Sequence, residues 1–116
     1  MRQLLVVGNW KMNGSRASVR ALLSALVGVA QSFRPQVVVC PTYVHLEQAL
    51  ELCTTTSISV GAQDCSYRQS GAYTGEVAPG MLAEIGCRWV ILGHSERRQY
   101  HGESDALVAA KLTAAV

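Results

Sequence analysis

The sequence is poor in aromatic and charged residues, and neither charge sign forms a long run. Of its 116 residues, 6% are aromatic and 16% are charged, with a formal net charge of +2. Without a basic cluster there is no electrostatic footprint for nucleic acid or an anionic membrane surface. The apolar start at residues 1–8 is too short for a signal peptide or a membrane span. We therefore expect a cytoplasmic globular protein with no nucleic-acid partner and no membrane partner.

Cysteine motifs and glycine-rich nucleotide loops are also missing. The sequence contains neither a Cys-x-x-Cys pair nor a Gly-x-Gly-x-x-Gly or phosphate-loop motif after a strand, so zinc binding and nucleotide binding have no support. We predict four reduced thiols, as is usual in the cytosol. Cys65 lies in a loop and is predicted to be the reactive one, whereas Cys40, Cys53 and Cys87 are predicted to be buried and inert.

The sequence does contain a regular alternation of short apolar runs and amphipathic stretches. Strands are predicted at residues 4–10, 37–40, 58–62 and 89–92, and helices at residues 19–30, 46–53, 80–85 and 104–116. Strands that are apolar on both faces and alternate with helices indicate a parallel sheet covered by helices. A small doubly wound sheet of four strands is an alternative architecture.

A histidine follows the last predicted strand, where parallel β/α proteins concentrate their chemistry. Residues 89–92 are apolar, Gly93 breaks the run, and residues 95–98 have the polarity of a helix start. A helix N-terminus carries partial positive charge and disfavours imidazolium. We therefore expect a neutral His94 that donates a hydrogen bond; a solvated histidine that ends a strand is the alternative.

Further polar residues are expected at the same edge of the sheet. Asn9 and Lys11 lie at the end of the first strand, and parallel strands bring them to the edge where His94 lies. A lysine there can supply positive charge to a phosphate or a developing oxyanion, and Asn9 an amide donor. Glu96 can pair with Lys11, hold its position or shuttle a proton. The structural alternatives are a surface charge, a loop cap and an ordinary ion pair.

Three segments resemble the triose-phosphate isomerase family in the right order. They are Gly8-Asn-Trp-Lys-Met-Asn13, Ala72-Tyr-Thr-Gly-Glu76 and the segment at residues 89–98. The resemblance runs from about residue 4 to Val116. It implies parallel β/α units of a (β/α)8 barrel, which needs about 250 residues when complete. We thus expect one domain over residues 1–116, a half-barrel of four strands and four helices.

The resemblance implies the interconversion of dihydroxyacetone phosphate and glyceraldehyde 3-phosphate through an enediolate, in glycolysis and gluconeogenesis. By matching positions, His94, Lys11 and Glu96 are catalytic and Asn9 and Lys11 bind the triose phosphate, with no metal and no cofactor. This family is itself an established example of a histidine kept neutral by a helix N-terminus. Its general-base glutamate and lid follow later units. The chain is therefore expected to carry the electrophilic half of the site and to be inactive alone. The alternative is a catalytically inactive half-barrel that acts as a folding or assembly module.

The resemblance also implies a homodimer, in which the loop after the third strand docks into a second copy. The residues implied at that interface are Tyr73, Thr74, Gly75, Glu76 and Arg97, with Thr74 near the neighbouring site and Glu76 paired with Arg97. Four open strands leave two free edges, which associate readily. We expect a homo-oligomer, and rank pairing between first and fourth strands of two copies above loop docking.

Overall fold

The computed structural model describes residues 2–116, and its centre is a parallel sheet of four strands. The strands are β1 (Leu5–Asn9), β2 (Gln36–Cys40), β3 (Ile58–Ala62) and β4 (Trp89–Val90), which lie side by side in chain order. In register, Val7 pairs with Val38 and Val39 with Val60. A doubly wound sheet reverses its strand order at a switch point, and the described sheet has no such reversal. The half-barrel of parallel β/α units is confirmed.

The connections between the strands are helical, as predicted. The helices are α1 (Arg16–Ala30), α2 (Leu46–Cys53), α3 (Pro79–Ile85), α4 (Ser95–His101) and α5 (Asp105–Ala115), and a short 3-10 turn, Tyr43–His45, precedes α2. α4 begins directly after His94, where residues 95–98 predicted a helix start, and it adds a fifth α-helix to the four whose ranges were predicted. Within residues 2–116, no helix combines the length and the apolar character required to cross a bilayer.

Two helix starts show how local sequence sets these boundaries. Ser15 caps α1 in a reciprocal capping box with Ser18, which satisfies backbone donors that the first turn leaves unpaired. α3 begins instead at Pro79, and Ala78 before it supplies no side-chain cap. The fixed φ of proline suits the first helical position, so α3 starts without a capping hydroxyl.

The core lies between one face of the sheet and the first helices. The predicted apolar stripe of α1 is buried through Val19, Leu23 and Ala30, and that of α2 through Leu46, Ala49 and Cys53. From the sheet, the buried side chains include Val39, Val60 and Ala62. Burial of these apolar side chains is the main favourable contribution to folding.

The two outer strands are less buried than we predicted. The exposed fractions of Leu5, Val6 and Val7 in β1 are 44%, 53% and 45%, and that of Trp89 in β4 is 37%. β4 is regular over two residues rather than over residues 89–92. Each outer strand has one hydrogen-bonded neighbour in the described sheet, so part of its surface has nothing packed against it. The prediction of buried strands holds for β2 and β3 and is wrong for β1 and β4.

The cysteine predictions need one correction, at Cys65. All four cysteines are free and buried, and Cys65, 1% exposed, packs in the core cluster although its segment is irregular. Burial raises the pKa of the Cys65 thiol to about 11. Because the thiolate is the nucleophile, a thiol with this pKa is unreactive near neutral pH. The prediction of a reactive Cys65 is therefore wrong.

A cluster of four charged side chains fastens α4 and α5 to the end of β3. Glu103 Oε2 accepts hydrogen bonds from Arg97 Nε at 2.7 Å and from Lys111 Nζ at 2.5 Å. Asp64 lies 3.1 Å from Arg97 Nε and 2.9 Å from Lys111 Nζ. Glu103 and Lys111 are only 6% and 5% exposed. Two acids and two bases cancel in charge, which makes their burial tolerable.

The pKa of Glu103 reflects two opposing effects in this cluster. Burial favours the neutral acid, but the hydrogen bonds from Lys111 and Arg97 outweigh it and lower the pKa below its ordinary value. Burial likewise opposes the charge of Lys111, whose hydrogen bonds to Asp64 and Glu103 raise its pKa. Both groups are therefore charged at neutral pH.

We predict that alanine at Gly61, where β3 passes close to β4, is destabilising. A Cβ at Gly61 would lie 2.8 Å from Trp89 Cβ and 3.0 Å from Cys40 Sγ. We expect Gly61→Ala to lower the free energy of unfolding by about 1–3 kcal/mol. The control is Gly28→Ala in α1, where a Cβ would meet nothing within 4 Å and alanine should stabilise by about 0.5–1 kcal/mol. Urea unfolding followed by circular dichroism measures both, and equal midpoints for the two variants would contradict the close packing.

We predict that removing the charge of Glu103 is strongly destabilising, because buried Lys111 would keep Asp64 as its one acidic partner. Glu103→Gln should lower the free energy of unfolding near neutral pH by about 3–5 kcal/mol. Asp105→Asn is the control, since the Asp105 side chain is 94% exposed and pairs with Arg98 at 2.6 Å. That exposed pair should contribute less than about 1 kcal/mol.

The pH dependence of the Glu103 effect has a defined sign. The folded-state pKa lies below the ordinary value of 4.5, so ionised Glu103 contributes its full stability above that value. The contribution is lost as the pH falls through the folded-state pKa. The difference in unfolding free energy between the wild type and Glu103→Gln should therefore shrink as urea titrations are moved into acid. A difference that stays constant would be evidence against an ionised Glu103.

Candidate active site

The carboxyl edge of the sheet carries most of the polar side chains that the sequence analysis selected. β1 ends at Asn9, Gln63 follows β3, and Gly93 leads from the β4 segment to His94. Asn9, Gln63 and His94 meet at one cavity of about 460 Å³, because parallel strands end on the same side. The side chains around it are Asn9, Met12, Thr42, Tyr43, Gln63, Asp64, His94, Glu96, Arg97, Tyr100 and His101.

Lys11 joins this group through an ion pair with Glu96. The distance between Lys11 Nζ and Glu96 Oε1 is 2.6 Å, and the two side chains are 51% and 42% exposed. The hydrogen bond from Lys11 and the charge of Lys11 lower the pKa of Glu96 against an opposing effect of burial. Solvent screening makes such an exposed pair weak in energy. Its consequence is positional, because it holds the ammonium group at the edge where His94 lies.

The backbone at Lys11 has an uncommon conformation that neighbouring amides stabilise. Its φ angle is 56°, in the left-handed region that residues other than glycine seldom adopt. The Lys11 N–H donates to Asn9 Oδ1 at 2.9 Å, and Gln63 Nε2 donates to the Lys11 carbonyl at 2.8 Å. Because Asn9 uses its oxygen on the backbone, its NH₂ group remains available as a donor.

Gln63 is a residue that the sequence analysis missed. Its Nε2 donates to the Cys40 carbonyl at 2.8 Å, in addition to the Lys11 carbonyl. It therefore links the chain segments that follow β1, β2 and β3. The available signal was its position, since a side-chain amide directly after a strand lies at the edge where the other candidates were placed.

His94 occupies the N-cap position of α4. Its Nδ1 accepts a hydrogen bond from the Glu96 N–H at 3.1 Å. A ring nitrogen that accepts carries no proton, so a neutral imidazole in this position has its proton on Nε2 and can donate from there. The neutral state of His94 stays a prediction. This capping contact supports it, as does the partial positive charge of the helix N-terminus.

A glycine is required immediately before His94. Gly93 has a φ angle of 65°, and a Cβ there would lie 2.8 Å from Val108 Cγ1 in α5. Any side chain would push the segment away from α5. The packing of α5 and the turn at Gly93 together fix where His94 emerges.

The residues predicted at an intersubunit contact fall into two groups. Tyr73, Thr74, Gly75 and Glu76 lie on an exposed loop between β3 and α3. Arg97 lies in the buried charged cluster, which uses its Nε. Glu76 and Arg97 line the same neighbouring cavity of about 360 Å³. The structure contains one copy of the chain, so the interface between copies stays a prediction.

The arrangement can stabilise negative charge on an oxygen atom of a ligand. The Asn9 amide, the Lys11 ammonium and the His94 imidazole are different donors at one edge, fixed by contacts within the chain. Donors that are positioned in advance stabilise developing charge without reorganising. Among residues 2–116, histidine, cysteine and acidic side chains form no group of three suited to hold a metal ion.

Comparisons with known proteins find relatives that match nearly the whole of this chain. The model of the triosephosphate isomerase family matches residues 4–116. The triosephosphate isomerase of Nitrosococcus oceani is 54% identical over 112 residues, which are 96% of this chain and 45% of that protein. That of Psychromonas ingrahamii is 49% identical over 115 residues, covering 98% of this chain and 46% of that protein. The chain spans about half the length of these curated relatives.

A solved structure gives the same result for the fold. The crystal structure of triosephosphate isomerase from Bartonella henselae, at 1.6 Å resolution, aligns with a TM-score of 0.91 at 38% identity. The alignment covers 98% of this chain and 47% of that one. The resemblance seen in the three sequence motifs is confirmed, and the chain belongs to the triosephosphate isomerase family.

Proposed function

We propose that this chain provides the electrophilic half of an active site that interconverts dihydroxyacetone phosphate and glyceraldehyde 3-phosphate. The observation that carries the proposal is the grouping of Lys11, Glu96 and His94 at the carboxyl edge of the sheet, with an ion pair of 2.6 Å and a capping bond of 3.1 Å. Family membership supports a triose phosphate as the substrate. We also propose that the reaction serves glycolysis and gluconeogenesis in the cytoplasm.

The roles of the side chains follow from the charge that the reaction develops. A base removes a proton beside the carbonyl group, and negative charge moves onto the carbonyl oxygen as the enediolate forms. His94 Nε2–H donates to that oxygen, and Lys11 adds positive charge to it and to the phosphate. Asn9 donates its amide to the substrate. Removing one such donor lowers kcat by about 10²–10³-fold in comparable sites.

Glu96 has a positioning role in this proposal. Its carboxylate is held by Lys11, and its lowered pKa makes it a poor proton acceptor. By resemblance, the proton is removed by a glutamate of a later barrel unit, beyond the segment that this chain matches. We therefore expect the 116-residue chain by itself to have little or no isomerase activity.

A chimeric enzyme tests the catalytic proposal directly. Residues 1–116 of this chain replace the matching segment of the Nitrosococcus oceani enzyme, which is 54% identical to it. We expect the chimera to isomerise glyceraldehyde 3-phosphate, and His94→Gln or Lys11→Met to lower kcat by about 10²–10³-fold. Arg20→Met, an exposed change on α1, is the control and should leave kcat unchanged. A folded chimera whose kcat is unchanged by His94→Gln would refute the assignment.

A second candidate function is that of an assembly module without activity of its own. The observation that favours it is the exposure of β1, where Leu5, Val6 and Val7 each expose more than two-fifths of their surface. Exposed apolar surface and an open strand edge both promote association. We propose that this chain forms a homo-oligomer. We retain pairing of β1 with β4 of a second copy as the first mode and loop docking as the second.

Charge placed on β1 should prevent the association if the strand edge is used. Light scattering of the wild type at micromolar concentration should give a mass above the 12.5 kDa of one chain. We expect Val6→Lys to shift that mass towards one chain, because lysine disfavours edge pairing. Leu22→Lys is the matched control, since Leu22 on α1 is 46% exposed and Val6 is 53% exposed. Equal masses for both variants would count against association through β1.

A further inference from the structure

The loop between β3 and α3 forms an exposed arm with a fixed base. Residues 67–76, called the arm here, are all exposed, whereas Cys65, Ser66 and Ala78 beside them are buried. The base is closed by the Ser66 N–H, which donates to the Val77 carbonyl at 2.8 Å. A segment of this length without regular structure loses much conformational entropy when it takes one shape. An ordered arm therefore needs contacts within it that offset this loss of entropy.

A cation between two aromatic rings holds the arm together. The Arg68 guanidinium carbon lies 4.4 Å from the centroid of the Tyr67 ring and 5.1 Å from that of Tyr73. Both distances are within the range of about 6 Å over which a cation is attracted to a ring face. The backbone N–H of Arg68 also donates to the buried Ser66 Oγ at 3.0 Å. Arg68 therefore connects the fixed base of the arm to its tip.

The backbone of the arm is shaped to permit this contact. Gly71 has a φ angle of 127°, and a Cβ there would lie 2.9 Å from Tyr73 Cε2, so the ring folds back over a position that only glycine can fill. The Tyr73 N–H donates to the Gly71 carbonyl at 2.9 Å, and the Glu76 N–H to the Tyr73 carbonyl at 3.0 Å. These turns present residues 73–76 in one conformation.

We propose that Arg68 is a positioning residue, which orders the arm in the free chain and so favours the loop docking proposed above, in which the tip of the arm enters the site cavity of a second copy. The inference rests on the proposed self-association. The cavity of about 460 Å³ opens beside Met12 and Tyr100, whose exposed fractions of 91% and 71% offer apolar surface to the Tyr73 ring. Arm and cavity on one chain allow a two-fold contact with identical surfaces on both copies.

The advantage of this clamp lies in the affinity of the contact. A segment that is ordered before binding loses less conformational entropy on binding, and its complex dissociates less readily. Each exposed cation–π contact corresponds to a factor of roughly two to five in an equilibrium constant. Together, the two rings around Arg68 correspond to a factor of about ten.

Amide hydrogen exchange tests the clamp within one chain. In Arg68→Ala, the Tyr73 and Glu76 amides should exchange about tenfold faster than in the wild type. Arg68→Lys should fall between the two, because it keeps the charge but loses the planar guanidinium. Tyr73→Phe keeps the ring and should keep the protection. Arg20→Ala removes the same charge from an exposed site on α1 and should change nothing. Unchanged exchange in Arg68→Ala would overturn the clamp, whatever the state of association.

Sedimentation equilibrium on the same proteins tests the docking of the arm. The dissociation constant of the Arg68→Ala oligomer should rise by about tenfold, and that of Arg20→Ala should match the wild type. Faster exchange with an unchanged dissociation constant would overturn the docking role. A wild type that sediments at 12.5 kDa at every concentration would show that the proposed self-association fails. The docking role would fall with it, and the exchange rates alone would decide the clamp.

Discussion

The side-chain amide of Gln63 ties together three chain segments whose relative positions define the candidate site. It donates to the carbonyl groups of Lys11 and Cys40, both at 2.8 Å, so the end of β3 is fixed to the chain after β1 and to the end of β2. The Gln63 amide is one of the groups that stabilise the left-handed backbone at Lys11. That backbone conformation sets the direction in which the lysine side chain leaves the sheet. From that direction, Lys11 reaches Glu96 across the carboxyl edge. Gln63 therefore shares the positioning of Lys11 with Asn9, which accepts from the Lys11 N–H, and with Glu96.

The chain uses charged groups in two physically different ways. The pair of Lys11 and Glu96 is about half exposed, so water screens it and its energy is small. Such a pair can exchange partners, which suits the substrate contact proposed for Lys11. Glu103 and Lys111 are almost fully buried, and separating them would leave an uncompensated charge in the interior. That cluster fixes α4 and α5, and through the contact of Gly93 with Val108 it fixes the turn that carries His94.

Local pattern was enough to predict the elements and the edge, and contacts between distant residues account for what it missed. The apolar stripe of Val19, Leu23 and Ala30 and the cap at Ser15 involve residues close together in the sequence, so local pattern is enough to predict them. Lys11, Glu96 and His94 could be placed together because parallel strands share one carboxyl edge. Lys111 and Asp64 are 47 residues apart, and no periodicity pairs them. Cys65 was misjudged because an irregular segment usually lies at the surface, whereas here its first residues pack into the core.

The contacts that position the donors of the candidate site all lie within this chain, so the geometry of the site does not depend on another surface. The Lys11–Glu96 pair, the Gln63 bonds and the cap at His94 join residues of the four described β/α units. Their hydrogen-bond donors are therefore oriented before any further unit packs against the sheet, and preorganised donors are the ones that stabilise developing charge most effectively. The exposed side chains of β1 have the opposite property, because their burial needs a neighbour that residues 2–116 do not provide in one copy. Orientation of the donors is thus a local property of this segment, whereas exclusion of water from the sheet is a property of whatever surface packs against β1.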